Sequence, residues 1–244
     1  MIELRSVRKA FREPLLDGID LSVPRGAVWG LIGPGASGKS VVLKLMCGLI
    51  RPDAGTVEVT GLDLARLDEA ELTSMRARFG MLFQQNALFD FMTVYENVAF
   101  PLRRTLELPE QEMDRRVRER LRKVGLAGSE HKMPSELSGG MRKRCAIARA
   151  SVARPEVVIY DEPTAGLDPV TTSRIYDLLR ADQEETGATV VVVSSDVDGL
   201  RRFATRMAMI YQGRIRYDGP AEAIEDADDA VVRQFVRGEL EGPL

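Results

Sequence analysis

Cysteine and histidine are scarce, two and one among 244 residues, and Cys47 and Cys145 stand far apart with no CxxC pair. That arithmetic argues against a zinc site or a disulfide framework, and a reducing cytosol is the compartment expected. Long hydrophobic runs are missing as well. The purest, such as residues 190–193, are strand-length and far short of the roughly 20 residues that cross a bilayer. Work at a membrane is therefore expected to go through a partner. No charged-then-apolar leader opens the chain at Met1-Ile2-Glu3-Leu4-Arg5, so secretion is not expected. Positive charge is not in excess: 34 Lys and Arg against 37 Asp and Glu leave a net charge of −3. No basic face for nucleic acid is expected from that balance.

What is present is ordinary for one sizeable α/β domain, with 44% apolar and 29% charged residues. Short apolar runs at 27–32, 157–160 and 190–193 read as buried strands of a largely parallel sheet, with helical stretches between them. Alternating segments at 2–5, 19–23 and 56–59 predict a small flanking antiparallel sheet. Residues 86–153 carry no buried strand pattern. There Met113, Val117, Leu121 and Val124 recur at intervals of 4, 4 and 3 on an Arg- and Glu-rich helix, which reads as a solvated helix with one packed face. The organisation expected is a core with the β subdomain at 1–85 and 154–220, a helical subdomain at 86–153 and a tail at 221–244. That tail is acidic first, then apolar at Val231, Val232, Phe235 and Val236.

Gly33-Pro34-Gly35-Ala36-Ser37-Gly38-Lys39-Ser40 follows an apolar strand and opens a helix. A loop of this pattern curls its backbone N–H groups around phosphates, with Gly33, Gly35 and Gly38 allowing the close approach. Lys39 reaches the β- and γ-phosphates and the Ser40 hydroxyl ligates Mg²⁺. The apolar run ending in Asp161-Glu162 places two acids at the carboxyl edge of a buried strand. Asp161 there faces the Mg²⁺ through its water, and Glu162 orients or deprotonates an attacking water. Leu137-Ser138-Gly139-Gly140-Met141 leads into a helix rich in cations, namely Arg142, Lys143, Arg144 and Arg149. Two glycines before a helix also make an ordinary turn. With Ser138 at the helix N-terminus, the same stretch is a second phosphate site.

Taken in this order, and followed by Ala165-Gly166-Leu167-Asp168, these motifs resemble the ABC ATPases over nearly the whole chain. The resemblance implies a P-loop (RecA-like) α/β core with a flanking antiparallel β subdomain and an inserted helical subdomain. It implies ATP and Mg²⁺ as cofactors, Glu162 as catalytic base, and Gln84 as the residue sensing Mg²⁺ and the water. Ser40, Gln84 and Asp161 are then the metal-side residues, and Leu167-Asp168 the loop crossing a dimer interface. Phe11, 22 residues before Gly33, sits where the family stacks an aromatic on adenine. A strand-end phenylalanine of the core is the other reading of that residue. The implied unit is a head-to-tail homodimer, each ATP lying between one phosphate loop and the other copy's Ser138-Gly139-Gly140.

Within that family, residues 82–89, 97–103 and 133–136, Met141 and the tail at 232–235 look like the ATPases of MCE-type (Mla) phospholipid transport. This likeness implies a membrane permease, an MCE-domain lipid-binding protein and a small cytosolic regulatory subunit as partners. It places the subunit peripherally at the cytoplasmic face of the bacterial inner membrane. The chain departs from the family pattern at Ser194-Ser195-Asp196, where Ser195 takes the place of the switch histidine that contacts the γ-phosphate. The lone histidine, His131, is read as a surface residue. An ATP-gated DNA-associated protein is a further alternative, but Lys39 and Ser138 lie only 99 positions apart, with no long coiled coil between them. A weakly hydrolysing ATP clamp, and an importer ATPase for another small solute, complete the readings. Ala87 to Phe100, with Leu88, Phe89, Phe91 and Met92, is expected to dock a permease, or else to be core.

Overall fold

The computed structural model describes all 244 residues. The first half of the chain forms β1 (Ile2–Ala10), β2 (Pro14–Val23), β3 (Val28–Ile32), α1 (Lys39–Met46), β4 (Ala54–Val59), β5 (Leu62–Asp63), α2 (Glu69–Arg76), β6 (Phe79–Leu82), α3 (Val94–Thr105) and α4 (Glu110–Lys123). The second half forms α5 (Gly139–Ser151), β7 (Val157–Asp161), α6 (Pro169–Thr186), β8 (Thr189–Val193), α7 (Val197–Phe203), β9 (Arg206–Tyr211), β10 (Arg214–Pro220) and α8 (Ala230–Arg237). Two compact units result: Met1–Arg76 with Thr189–Leu244, and Ala77–Ala188. No helix is long and apolar enough to cross a membrane.

In the first unit β3 is buried along its whole length and runs parallel to β8, Val28 opposite Val190 and Leu31 opposite Val193. Its other side pairs parallel with β9, and β10 continues antiparallel from β9. Strands buried on both faces need no polar alternation, which is why these segments read as unbroken apolar runs. The antiparallel sheet has the order β2-β1-β4-β5. In β1 the buried residues are Ile2, Leu4 and then Val7, a change of phase. The register with β2 slips between Leu4 and Val7, where Ser6 takes a φ of 49° and its N–H donates to Asp20 Oδ1 at 2.8 Å. One bulged residue has moved the apolar face along by one. At the tail, α8 is capped by Asp229, and Val231 and Val232 are buried in the chain's own core. Of the apolar tail residues, only Phe235 and Val236 are left partly exposed.

In the second unit β6 and β7 pair parallel, Leu82 opposite Tyr160. Helices α3, α4 and α5 occupy the stretch between them without a further strand. Their shared core takes Val94, Val98 and Leu102 from α3, Met113, Val117 and Leu121 from α4, and Cys145 and Ala148 from α5. α3 starts from a capping box in which Thr93 and Glu96 satisfy each other's backbone N–H groups. The compact unit is wider than the helical stretch, because it also takes in β6, β7 and the long α6. On α4 most charges pair with one another one helical turn apart, as a solvated face does. Arg120 is different: it is buried and forks onto Asp182 of α6.

Candidate functional site

The residues singled out by the sequence fall into both units. In the first, the loop 33–40 joins the end of β3 to α1. Gly33 has φ 147°, and a Cβ there would lie 2.2 Å from the Ile210 carbonyl oxygen, so only glycine fits. Gly38, at φ 101°, is the N-terminal cap of α1 and offers no side chain to it, leaving a helix N-terminus of the kind that draws anions. The Lys39 ammonium is held across the loop by the Gly33 and Pro34 carbonyls at 2.8 and 2.7 Å. Ser37 Oγ is buried with no hydrogen-bond partner in the protein. A buried hydroxyl without a partner is costly, and one inside a backbone cradle is suited to a polar ligand such as phosphate.

Phe11 lies just beyond β1 and is 64% exposed, with the Lys9 ammonium 5.7 Å from its ring centroid. That exposure rules out the core reading of the ring. After β8, Ser194 is buried and its Oγ accepts the Asp196 N–H at 3.1 Å, while Asp196 caps α7 by accepting the Gly199 N–H. Ser195, between them, is exposed. His131 is exposed too, as a surface residue would be.

In the second unit, every residue of β7 through Asp161 is buried. Glu162 follows at φ 53°, left-handed backbone that a glutamate adopts only when its surroundings hold it there. Its carbonyl accepts the Lys143 ammonium at 2.8 Å. The same ammonium donates to the Gln84 carbonyl at 3.2 Å, so Gln84 and Glu162 are tied together through α5. Beyond Gln84, Asn86 and Ala87 also have positive φ, and their carbonyls take the Arg149 guanidinium at 2.9 and 2.7 Å. Burial lowers the affinity of both Lys143 and Arg149 for their protons, and the nearby Glu162 and Asp161 charges act against this at Lys143.

Ser138 caps α5, its Oγ accepting the Met141 N–H at 3.3 Å. Ser138, Gly139 and Gly140 line one cavity of ≈ 600 Å³ with Gly166, Leu167 and Asp168, so the structure brings the two glycine-bearing loops together. The Asp168 carboxyl is held below the usual carboxylate range by the Thr171 hydroxyl and N–H, and it caps α6. Ser40, Gln84 and Asp161 offer a hydroxyl, an amide and a carboxylate, hard oxygen donors of the kind Mg²⁺ takes.

The apolar cluster 88–92 divides. Leu88 packs on the helical core, whereas Phe91 is 76% exposed. The Phe89 ring lies between those of Phe91 and Phe100, tilted to them by 47° and 55°, with centroids 5.8 and 4.8 Å away. Asn97, buried on α3, orders this loop by accepting from the Phe89 N–H and donating to the Phe89, Met92 and Thr93 carbonyls. Beside it lies a mainly apolar groove of ≈ 360 Å³ walled by Phe79, Phe83, Phe89, Phe100 and Pro101.

The sequence reading missed the bridging roles of Lys143, Arg149 and Asn97. A signal was there for Arg149, a lone charge inside Cys145-Ala146-Ile147-Ala148-Arg149-Ala150. A charge within so apolar a run has to be buried and paired.

Residues 16–165 match the sequence profile of the ABC transporter family. Across all 244 residues the chain is 40% identical to a probable ribonucleotide transport ATP-binding protein, mkl, of Mycobacterium leprae (strain TN), 70% of which it covers. It is 39% identical over 230 residues to the intermembrane phospholipid transport system ATP-binding protein MlaF of Escherichia coli (strain K12), covering 94% of this chain and 86% of that one. Among solved structures, a dimeric bacterial ABC transporter cassette aligns with a TM-score of 0.85 at 33% identity, over 91% of this chain and 99% of that one. The same cassette in a post-hydrolysis state bound to ADP and Pi gives 0.84, with the same identity and coverage.

Proposed function

The chain belongs to the ABC transporter family as an ATP-hydrolysing subunit, and from that premise we propose that it powers phospholipid movement across a bacterial envelope through a membrane permease. The observation that carries this reading is the likeness to MlaF along nearly the whole chain. The residues take the following parts in it. The loop of Gly33, Gly35, Gly38 and Lys39 binds the β- and γ-phosphates of ATP, and Phe11 stacks on the adenine. Ser40, Gln84 and Asp161 hold Mg²⁺, which supplies charge neutralisation on the phosphates when bound. Glu162 accepts a proton from the water that attacks the γ-phosphorus, and Gln84 orients that water. Ser138, Gly139, Gly140 and Asp168 act on the nucleotide of a second copy, which makes the working unit a homodimer. Ser195 stands where an imidazole would reach the γ-phosphate.

The exposed Phe91 and the groove beside it are the surface offered to the permease. The subunit sits peripherally at the cytoplasmic face of the inner membrane, and an MCE-domain protein and a small cytosolic regulatory subunit complete the assembly. Movement of ATP-dependent fluorescent phospholipid between vesicles, with the subunit reconstituted on its permease, tests the cargo. The name of the mycobacterial relative favours a second reading, an importer ATPase for a small solute such as a ribonucleotide. ATP turnover without lipid movement, but with nucleotide uptake into the vesicles, would establish that reading instead.

A further inference from the structure

The geometry points to Lys143 as a positioning residue for hydrolysis, one that fixes the backbones of Gln84 and Glu162 at once and ties both to the helix that Ser138 begins. Lys143 is only 5% exposed, so its ammonium must find partners inside the protein. It takes the Gln84 carbonyl at 3.2 Å and the Glu162 carbonyl at 2.8 Å. These carbonyls lie just past the ends of β6 and β7, neighbouring parallel strands in which Leu82 faces Tyr160. One charge on α5 thus spans the two strand ends that carry the residues assigned to the attacking water.

The backbone of Glu162 makes this contact consequential. At φ 53° it occupies a sparsely populated conformation, and the direction of its side chain follows from the peptide that Lys143 holds. The Ala165 N–H reaches the same carbonyl at a longer 3.4 Å. Arg149 adds a second anchor from the same helix, on the Asn86 and Ala87 carbonyls. α5 begins at Gly139, directly after Ser138, so a shift of its N-terminal end reaches the hydrolytic pair through a buried ammonium. In the dimer that end meets the partner copy's nucleotide. Lys143 thereby makes the position of the water-activating pair depend on how the neighbouring site is filled.

The inference rests on Glu162 and Gln84 acting on water, and the experiment separates the two ideas. Lys143→Met, Lys143→Arg and Glu162→Gln are each assembled with the permease in lipid, and kcat, nucleotide Kd and thermal midpoint are measured. Displacing a reacting group by about 1 Å costs on the order of 10²-fold. Lys143→Met is therefore expected to lower kcat about 10- to 100-fold while ATP affinity and thermal midpoint hold. Lys143→Arg, which keeps buried donors for both carbonyls, is expected to restore kcat to within about threefold. If the Met variant does not fold, Lys143→Gln takes its place and is read in the same way. Unchanged kcat in the neutral variant, or a fall in affinity and thermal midpoint in proportion to kcat, would overturn the positioning role. Full activity in Glu162→Gln would instead overturn the assignment of Glu162 itself.

Discussion

A single side chain decides several of the chemical assignments, and the sequence displays some of these better than others. Lys39 is legible because the phosphate loop is contiguous, and its ammonium does lie over the loop in the structure. Lys39→Ala removes the one charge in this loop able to bridge the β- and γ-phosphates, so ATP affinity is expected to fall by at least about 100-fold. Titration with a fluorescent nucleotide checks it, and retained affinity would sink the phosphate-loop assignment. Ser195 is legible only as a departure from a pattern. Its neighbour Ser194 is buried with its Oγ accepting the Asp196 N–H, whereas Ser195 is exposed. A serine hydroxyl ends one bond from Cβ, where an imidazole reaches ångströms further. Loss of a donor to developing charge typically costs about 10²–10³ in rate. Ser195→His is expected to raise turnover at least tenfold with ATP affinity little changed. Equal or lower turnover would mean that the site is completed by another group. The partners of Lys143 and Arg149 were not legible at this scale, because they are backbone carbonyls, which leave no mark in a sequence, even where the burial of Arg149 could be read.

Among the elements, periodicity served best where an element has one simple environment. The fully buried strands β3, β7 and β8 and the apolar stripe of α4 stand where their patterns indicate. β1 was harder, because the bulge at Ser6 changes the face mid-strand. The charge run of α4 hid Arg120, whose partner Asp182 is 62 positions away on another helix. Removing one member of such a buried pair leaves an uncompensated charge, typically at about 3–5 kcal/mol, whereas replacing both with apolar residues is often near neutral. Asp182→Ala is therefore expected to destabilise the second unit by that amount and Arg120→Met with Asp182→Leu by far less, read from urea unfolding of each variant. Equal losses would show that the ion pair itself is not what the packing requires. The loop before α3 gives a second contrast. Phe91→Asp, at a ring 76% exposed, is expected to release the subunit from its permease in co-purification while its thermal midpoint stays within a few degrees. Leu88→Asp, which strikes the helical core, is expected to cost folding first. Loss of soluble protein from the Phe91 variant would make that ring structural.

In the proposed reading the molecule carries two surfaces for anions, of different construction and one in each unit. The first is a glycine loop at the head of α1, the second a cavity shared by Ser138, Gly140 and Asp168. In the two-copy arrangement proposed above, one bound nucleotide engages the first surface of one copy and the second surface of the other. ATP then binds the dimer more tightly than the monomer. Ligand present at about 100 times its Kd favours the state that binds it by roughly 2.7 kcal/mol. Hydrolysis destroys that ligand, so the natural chain is not expected to accumulate as a dimer. Glu162→Gln keeps the shape of the side chain and the left-handed backbone but cannot take the proton from water. It is expected to bind ATP with unchanged affinity, to turn over at least about 100-fold more slowly, and to collect as a species of twice the 27.0 kDa chain mass. Light scattering with ATP, with ADP and without nucleotide reads the association, and Ser138→Arg in the same background blocks the second surface. Doubling with ATP alone, abolished by Ser138→Arg, is the expected result. A Glu162→Gln chain that stays monomeric with ATP, both in isolation and on its permease, would overturn the two-copy site.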